Sequence, residues 1–301
     1  MIVCIGEILA DMIGEENNGV ITYERKAGGA PFNVACALKK FGADVKFVGN
    51  VGDDLIGKFL IQFAADFGMD TEYISQDKDR NTTLAFVELN AEGERSFCFY
   101  RKNTADYFLP EISDELLNQT DIVCIGSLMM SEKRCVEYAL NIIERAHAKG
   151  KLVAFDVNYR TDIFKDTESA VKTYKKILEK ADIVKFSEDE AEIFTHAYIE
   201  NELADKLVLM TLGKAGSEWR YKGKSGLQSS ISVTVADTTG AGDAFFAGAL
   251  SVLDKTGSKE FSFEDLDKAI KFGNIAGALN TTGRGAIDNL PSVEKINQYI
   301  K

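Results

Sequence analysis

The chain has 301 residues, 45% of them apolar and 27% charged, enough to bury a sizeable core in one large domain or two small ones. A net charge of −12 and a pI of about 4.8 argue against nucleic acid as a partner, and they require any anionic ligand to be held by a locally positive site. Five cysteines without a CxxC or metal spacing, an N-terminus without a basic region and the lack of any apolar run of membrane length point to a cytoplasmic protein with reduced thiols and no membrane partner.

The first predicted element is the strand "IVCIG" from Ile2, followed by a short strand-like stretch at 18–26 and a helix over 33–41. "VKFVGNV" from Val45 reads as another strand. The helix after it carries Ile56, Phe59, Leu60, Phe63 and Phe67 on one face, with Asp53 or Asp54 to cap its start and Gly68 to end it. Residues 82–101 break the pattern: two strands joined by a turn at 90–94, with no crossover helix. Together with 18–26 they form a small sheet that would act as a lid over the carboxyl ends of the main strands.

Beyond the lid, strands "IVCIGSL", "LVAFDV", "IVKFS" and "LVLMTLG" alternate with helices over 132–149 and 168–180. A further strand ends at Val235, and helices follow over 244–253 and 264–281. The runs are β-branched and nearly continuous, as strands buried on both faces of a parallel sheet are. Strand–helix alternation implies a doubly wound α/β sheet. His147 and His196 receive no role, and Trp219 is expected to pack.

Two glycine clusters carry chemistry. In "VADTTGAGDAFFAGAL" from Val235, Gly240, Ala241 and Gly242 precede an apolar helix, so free N–H groups form a nest for a phosphate. Asp243 in that nest is explained if it deprotonates an attacking hydroxyl during phosphoryl transfer; a helix cap on a tight turn explains the spacing as well. In "KAGGAPFNVACAL", Gly28 and Gly29 allow close approach of a ligand and Asn33 offers a donor and an acceptor. No GxxxxGK[ST] occurs, and "GEILADM" replaces GxGxxG after the first strand, which argues against a P-loop or an NAD-dependent oxidoreductase.

"AGGAPFNVACALKKFGADVKFVGNVGDDLIG" from Ala27 and "DTTGAGDAFFAGAL" from Asp237 resemble the two signatures of the PfkB, or ribokinase-like, family of sugar kinases, in the expected order. The resemblance covers essentially the whole chain. It implies a ribokinase-like α/β fold, one domain over 1–301 with a discontinuous β lid from about 18–26 and 82–101, and ATP-dependent phosphorylation of a primary sugar hydroxyl. Asp243 matches the catalytic base, and Gly240, Ala241, Gly242 and Asp243 the anion hole. "TLGKAGS", with Thr211, Gly213 and Gly216, resembles the nucleotide loop, and Asn274 and Gly277 fall where the family encloses adenine. Asp237 and Thr239 match a monovalent-cation site, usually potassium. Glu190 matches the acidic residue that positions magnesium-bound water, although Ser187 stands where the family has Asn.

For the sugar, Asp11 matches a hydroxyl-binding position, with Gly28, Gly29 and Asn33 beside it. "FCFYRKNTADYFL" resembles the fructokinase branch, so that Phe97 and Phe99 would cover the sugar and Arg101 would reach its oxygens or a phosphate. In "FDVNYR", Arg160 would meet the γ-phosphate or the sugar. The expected substrates are fructose and ATP, with Mg2+ and K+. A 2-keto-3-deoxygluconate kinase, a ribokinase or aminoimidazole riboside kinase, and a non-catalytic sensor on the same fold are the alternatives. Lids of the family pair across a dimer, which implies a homodimer through the lid.

Overall fold

Why the apolar runs do not alternate is answered by where their side chains go. In the computed structural model, which describes residues 1–89, 95–164 and 166–300, the strand Ile2–Ile5 (β1) sends Ile2 and Cys4 into one core and Val3 and Ile5 into another. The chain continues through β2 (Leu9–Asn17), β3 (Val20–Gly28), α1 (Ala30–Lys40), β4 (Val45–Gly52), α2 (Leu55–Asp66), β5 (Ile74–Asp77), β6 (Leu84–Leu89) and β7 (Arg95–Tyr100). It then alternates α3 (Asp114–Gln119), β8 (Ile122–Ile125), α4 (Lys133–Ala148), β9 (Leu152–Asp156), α5 (Thr167–Leu178), β10 (Ile183–Ser187), the short α6 (Glu188–Phe194) and α7 (His196–Glu202), and β11 (Leu207–Thr211). The antiparallel pair β12 (Ser217–Tyr221) and β13 (Lys224–Gln228) precedes α8 (Ala241–Lys255), α9 (Phe263–Asn280) and α10 (Val293–Asn297).

Nine strands form the main sheet in the order β13-β12-β11-β10-β9-β8-β1-β4-β5, parallel from β11 to β5. From β1 the chain steps outward to β4 and β5, then returns to β8 and steps the other way to β11. The carboxyl ends of β1 and β8 therefore flank the topological switch point, where doubly wound sheets open a ligand crevice. Asp54, rather than Asp53, caps α2 by accepting the Gly57 N–H at 2.7 Å, and Gly68 follows the helix with φ 81°.

The lid is larger than expected. It is a four-stranded sheet, β3-β2-β6-β7, because residues 9–17 are a strand that pairs antiparallel with β3 and parallel with β6. Gly14, Glu15 and Glu16 interrupt the apolar pattern there and hide it. The readable signal was the dipeptide Asn18–Gly19, whose positive φ values of 54° and 77° suit a two-residue hairpin turn. The turn expected at 90–94 and the Phe97 side chain lie outside the described residues.

Two helices start earlier than expected, α1 at Ala30 and α8 at Ala241. No strand ends at Val235. That residue is exposed, and residues 229–240 run as an extended loop whose Ala236 and Asp237 N–H groups donate to the Thr281 carbonyl. Their hydrogen bonds go to a helix end, so a β-branched composition could not make a strand. Trp219 packs, stacking on Phe263 and donating to Asp267 at 2.7 Å. Among the described residues no helix is long and apolar enough to cross a membrane.

Candidate active site

The α8 N-terminus is built by Gly240, which has φ 72° and no room for a side chain: a Cβ would fall 2.6 Å from that of Ala286. The Ala241 N–H closes a turn onto the Thr238 carbonyl. The N–H groups of Gly240, Gly242 and Asp243 meet no acceptor among the described residues, which leaves three donors and the helix dipole facing outward. Asp243, partly exposed in the first turn, accepts a hydrogen bond from Asn33 Nδ2 at 2.9 Å. Burial raises its pKa above the usual carboxylate range, against the pull of Asn33, Lys185 and Arg160.

Lys185, on β10, escaped the sequence reading. Its ammonium is buried beneath the nest, 3.4 Å from where a Cβ on Gly242 would stand, and lies 2.9 Å from each carboxylate oxygen of Asp156. Burial opposes its charge, but Asp156 and Glu190 raise its pKa, so the ammonium persists. The signal was a charge placed inside each of two otherwise apolar runs, "IVKFS" and "LVAFDV". With the exposed Arg160, Lys185 makes the locally positive site that an acidic chain needs for a phosphate.

On the lid side, Asp11 sits on β2 in the row Lys26–Asp11–Ala85–Phe99, directly above Gly28, where a Cβ would fall 2.2 Å from Asp11 Oδ2. Gly29, with φ 109°, precedes α1 and accepts the Asn33 N–H. Asp11, Gly28, Gly29, Asn33, Asp243 and Phe99 thus come from elements that meet at the crevice. Arg101, expected to reach the sugar or a phosphate, is turned inward. Its Nε donates to Asp106 at 2.7 Å and its Nη1 to the Leu128 carbonyl at 2.7 Å, while Thr83 and Thr104 also donate to Asp106. This buried network ties the end of β7 to the main domain. Asp106, five residues on, is the counter-ion of Arg101 at 2.6 Å.

Of the residues expected on the nucleotide side, Gly216 and Asn274 meet at one carbonyl. Thr211 ends β11, and Gly213 and Gly216 turn with φ 55° and 115°. A Cβ on Gly216 would strike the Gln228 carbonyl at 2.0 Å, and Asn274 Nδ2 donates to that same carbonyl at 2.8 Å. Gly277 packs on α8, where a Cβ would meet the Ala241 carbonyl at 2.8 Å. It thereby supports the nest from behind.

Glu190 accepts two backbone N–H groups at 2.7 Å each, from Tyr159 and Ser187, and forms a capping box with Ser187. The Ser that replaces Asn is therefore a helix cap. Asp237 accepts from the Thr239 N–H and hydroxyl at 2.7 Å and from the Gly285 N–H at 3.0 Å. Beside them, Asn280 donates to the Thr239 and Ala286 carbonyls while its own buried Oδ1 has no partner.

A mostly parallel sheet with a crevice at its switch point, a β lid over it and a carboxylate inside a helix-N-terminal nest define a small-molecule phosphotransferase. The family model described as pfkB family carbohydrate kinase matches residues 1–293. Fructokinase-1 of Zea mays is 35% identical over 315 residues, spanning 100% of this chain and 98% of that protein. Fructokinase with bound ATP from Xylella fastidiosa superposes with a TM-score of 0.91 at 30% identity, over 99% and 97% of the two chains. A fructokinase double mutant from Vibrio cholerae O395, in a form with bound fructose, ADP and potassium ion, superposes at 0.88 with 28% identity, over 100% and 98%. The chain belongs to the pfkB family of carbohydrate kinases and is a sugar phosphotransferase.

Proposed function

We propose that this chain is an ATP-dependent fructokinase that makes fructose 6-phosphate. The observation that carries the reading is the Asn33–Asp243 hydrogen bond, which joins the sugar-side helix to the nest at the switch point. Fructose lies between Asp11, Gly29 and Asn33 below and Phe99 of the lid, with Phe97 as its neighbour on β7. ATP lies along Thr211, Gly213, Gly216 and Asn274. Asp243 takes the proton from the sugar hydroxyl. The free N–H groups of the nest, with Lys185 and Arg160, stabilise the charge on the phosphoryl group in transfer. Lid closure excludes water and limits ATP hydrolysis.

A neutral sugar is favoured over an acidic one because Arg101 is committed to Asp106, leaving Arg160 as the remaining cation of the expected pair. The test is ADP release from Mg-ATP with fructose, tagatose, ribose, 2-keto-3-deoxygluconate and an aminoimidazole riboside. Fructose is expected to lead in kcat/KM by about tenfold or more. An acidic-sugar preference would recast Arg160 as a carboxylate clamp, and silence on every sugar would overturn the reading.

The donors fit the expected ions. Around Asp237 and Thr239 the available ligands are oxygens, the Asp237 carboxylate, the Thr239 carbonyl and the orphaned Asn280 Oδ1, and the last is one a potassium ion would satisfy. Among the described residues no three His, Cys, Asp or Glu side chains converge, which suits magnesium brought in on the nucleotide phosphates, with Glu190 facing its waters. Magnesium there would neutralise phosphate charge. Asp237→Ala is expected to abolish any difference between potassium and sodium in kcat; an unchanged potassium response would remove Asp237 from that role. The thiols Cys4, Cys36, Cys124 and Cys135 are free and buried, which supports a cytoplasmic setting. The lid's outer face carries Phe86 against Tyr23 and Tyr100, with Tyr100 62% exposed, and this supports a homodimer through the lid.

A further inference from the structure

Glu7 lies just past β1, at the switch-point crevice, and is fully buried. Neither of its carboxyl oxygens has a hydrogen-bond partner among the described residues. Two more buried polar atoms nearby share this condition: the Ser127 hydroxyl, just past β8, and Asn33 Oδ1, whose amide nitrogen holds Asp243. Gly126 makes the close approach of β1 and β8 ends possible, since a Cβ there would fall 3.0 Å from Glu7 Oε2 and 2.8 Å from Pro31 Cγ. Buried polar atoms without partners are costly, and several at one ligand crevice call for a shared partner that can donate hydrogen bonds. Between Ser127, Pro31 and Asp243 is a cavity of about 10 Å³, the size of one water.

We propose that Glu7 is a positioning residue of the kinase site, holding with Ser127 ordered water beneath the sugar that sets the orientation of Asn33 and, through it, of Asp243. This rests on the kinase reading above. Charges face Glu7 from three directions: Arg101 beyond β7, Asp106 in the turn after it and Asp243 of α8. The Tyr174 hydroxyl of α5 lies nearby, donating to the Ser127 carbonyl at 3.4 Å. Burial pushes the Glu7 carboxyl up to about 7, with Arg101 pulling down and Asp106 and Asp243 pushing up.

Such a group weakens the fold. The folded protein holds its proton up to about pH 7, whereas an unfolded glutamate releases it near ~4.3. Stability therefore falls as pH rises between those values and stays reduced above them. A side chain that opposes folding at neutral pH is expected at a working site rather than in scaffolding.

The test compares wild type, E7Q, S127A and the double variant with the sugar on which wild type is active. E7Q is expected to lower kcat about ten- to a hundredfold, with KM for ATP within about twofold. Its melting temperature at pH 8 should equal or exceed that of wild type, and its kcat–pH profile should lose a limb near pH 7. S127A should lower kcat in the same direction, and the double variant should be little worse than E7Q alone. E7Q that melts lower yet turns over at the wild-type rate would make Glu7 scaffolding and overturn the proposal. So would two losses that multiply. If E7Q does not fold, wild-type kinetics in folded S127A overturn it instead. An inactive wild type defeats the kinase reading, a different failure from an active wild type whose E7Q and S127A variants are unchanged.

Discussion

Asp243→Asn is expected to lower kcat by about two to four orders of magnitude while leaving KM for sugar and ATP nearly unchanged. The substitution keeps the shape of the site, because an asparagine at this position can still accept the Asn33 Nδ2 hydrogen bond. What it removes is the basic lone pair that, in the proposed mechanism, takes the proton of the sugar hydroxyl. The pH profile provides a second reading. Burial holds the Asp243 carboxyl above the usual range, so the wild-type rate should fall as acid protonates it, at a higher pH than an ordinary aspartate near ~3.9 would require. The variant should lose that acid limb and keep a flat residual rate. Near-wild-type turnover in a folded variant would remove Asp243 from the chemistry.

Lys185→Met has the second large effect, and it acts on both stability and rate. Removing the ammonium leaves Asp156 buried without its counter-ion, and breaking a buried pair in this way costs about 3–5 kcal/mol. It also removes a cation lying beneath the nest, close to Gly242, where a transferring phosphoryl group would gather charge. Loss of one such group lowers kcat by about two to three orders of magnitude. The two effects separate in the double variant K185M/D156N, which has no orphaned charge. Its melting temperature should recover much of the loss while its kcat stays low. Recovery of both would mean that Lys185 serves only to neutralise Asp156.

Much of the site was legible in the sequence because its chemistry is written locally. Gly240, Ala241, Gly242 and Asp243 are consecutive at a helix start, and Gly28, Gly29 and Asn33 fall within six residues. The lid was half legible. The stretch 82–101 shows as two strands joined by a turn, but 9–17 carries Gly14, Glu15 and Glu16 and shows as a strand only once β3 and β6 pair with it. Arg101 reads as a sugar contact in sequence because its segment resembles the fructokinase branch and it shares a strand face with Phe97 and Phe99. In the fold its guanidinium meets Asp106 first.

By itself, then, the sequence determined the doubly buried parallel strands, their alternation with helices, the two glycine turns and the place of one carboxylate at a helix start. These depend on periodicity and on backbone freedom over a few residues. Only the tertiary structure decided the order of strands, and hence which carboxyl ends share the switch point. That order brings Asn33 to Asp243 across 210 residues and Lys185 to Asp156 across 29. It also leaves Glu7 enclosed between β1, β8 and α1. Direction of a side chain and its burial are properties of packed neighbours, and no local pattern specifies which neighbours those will be.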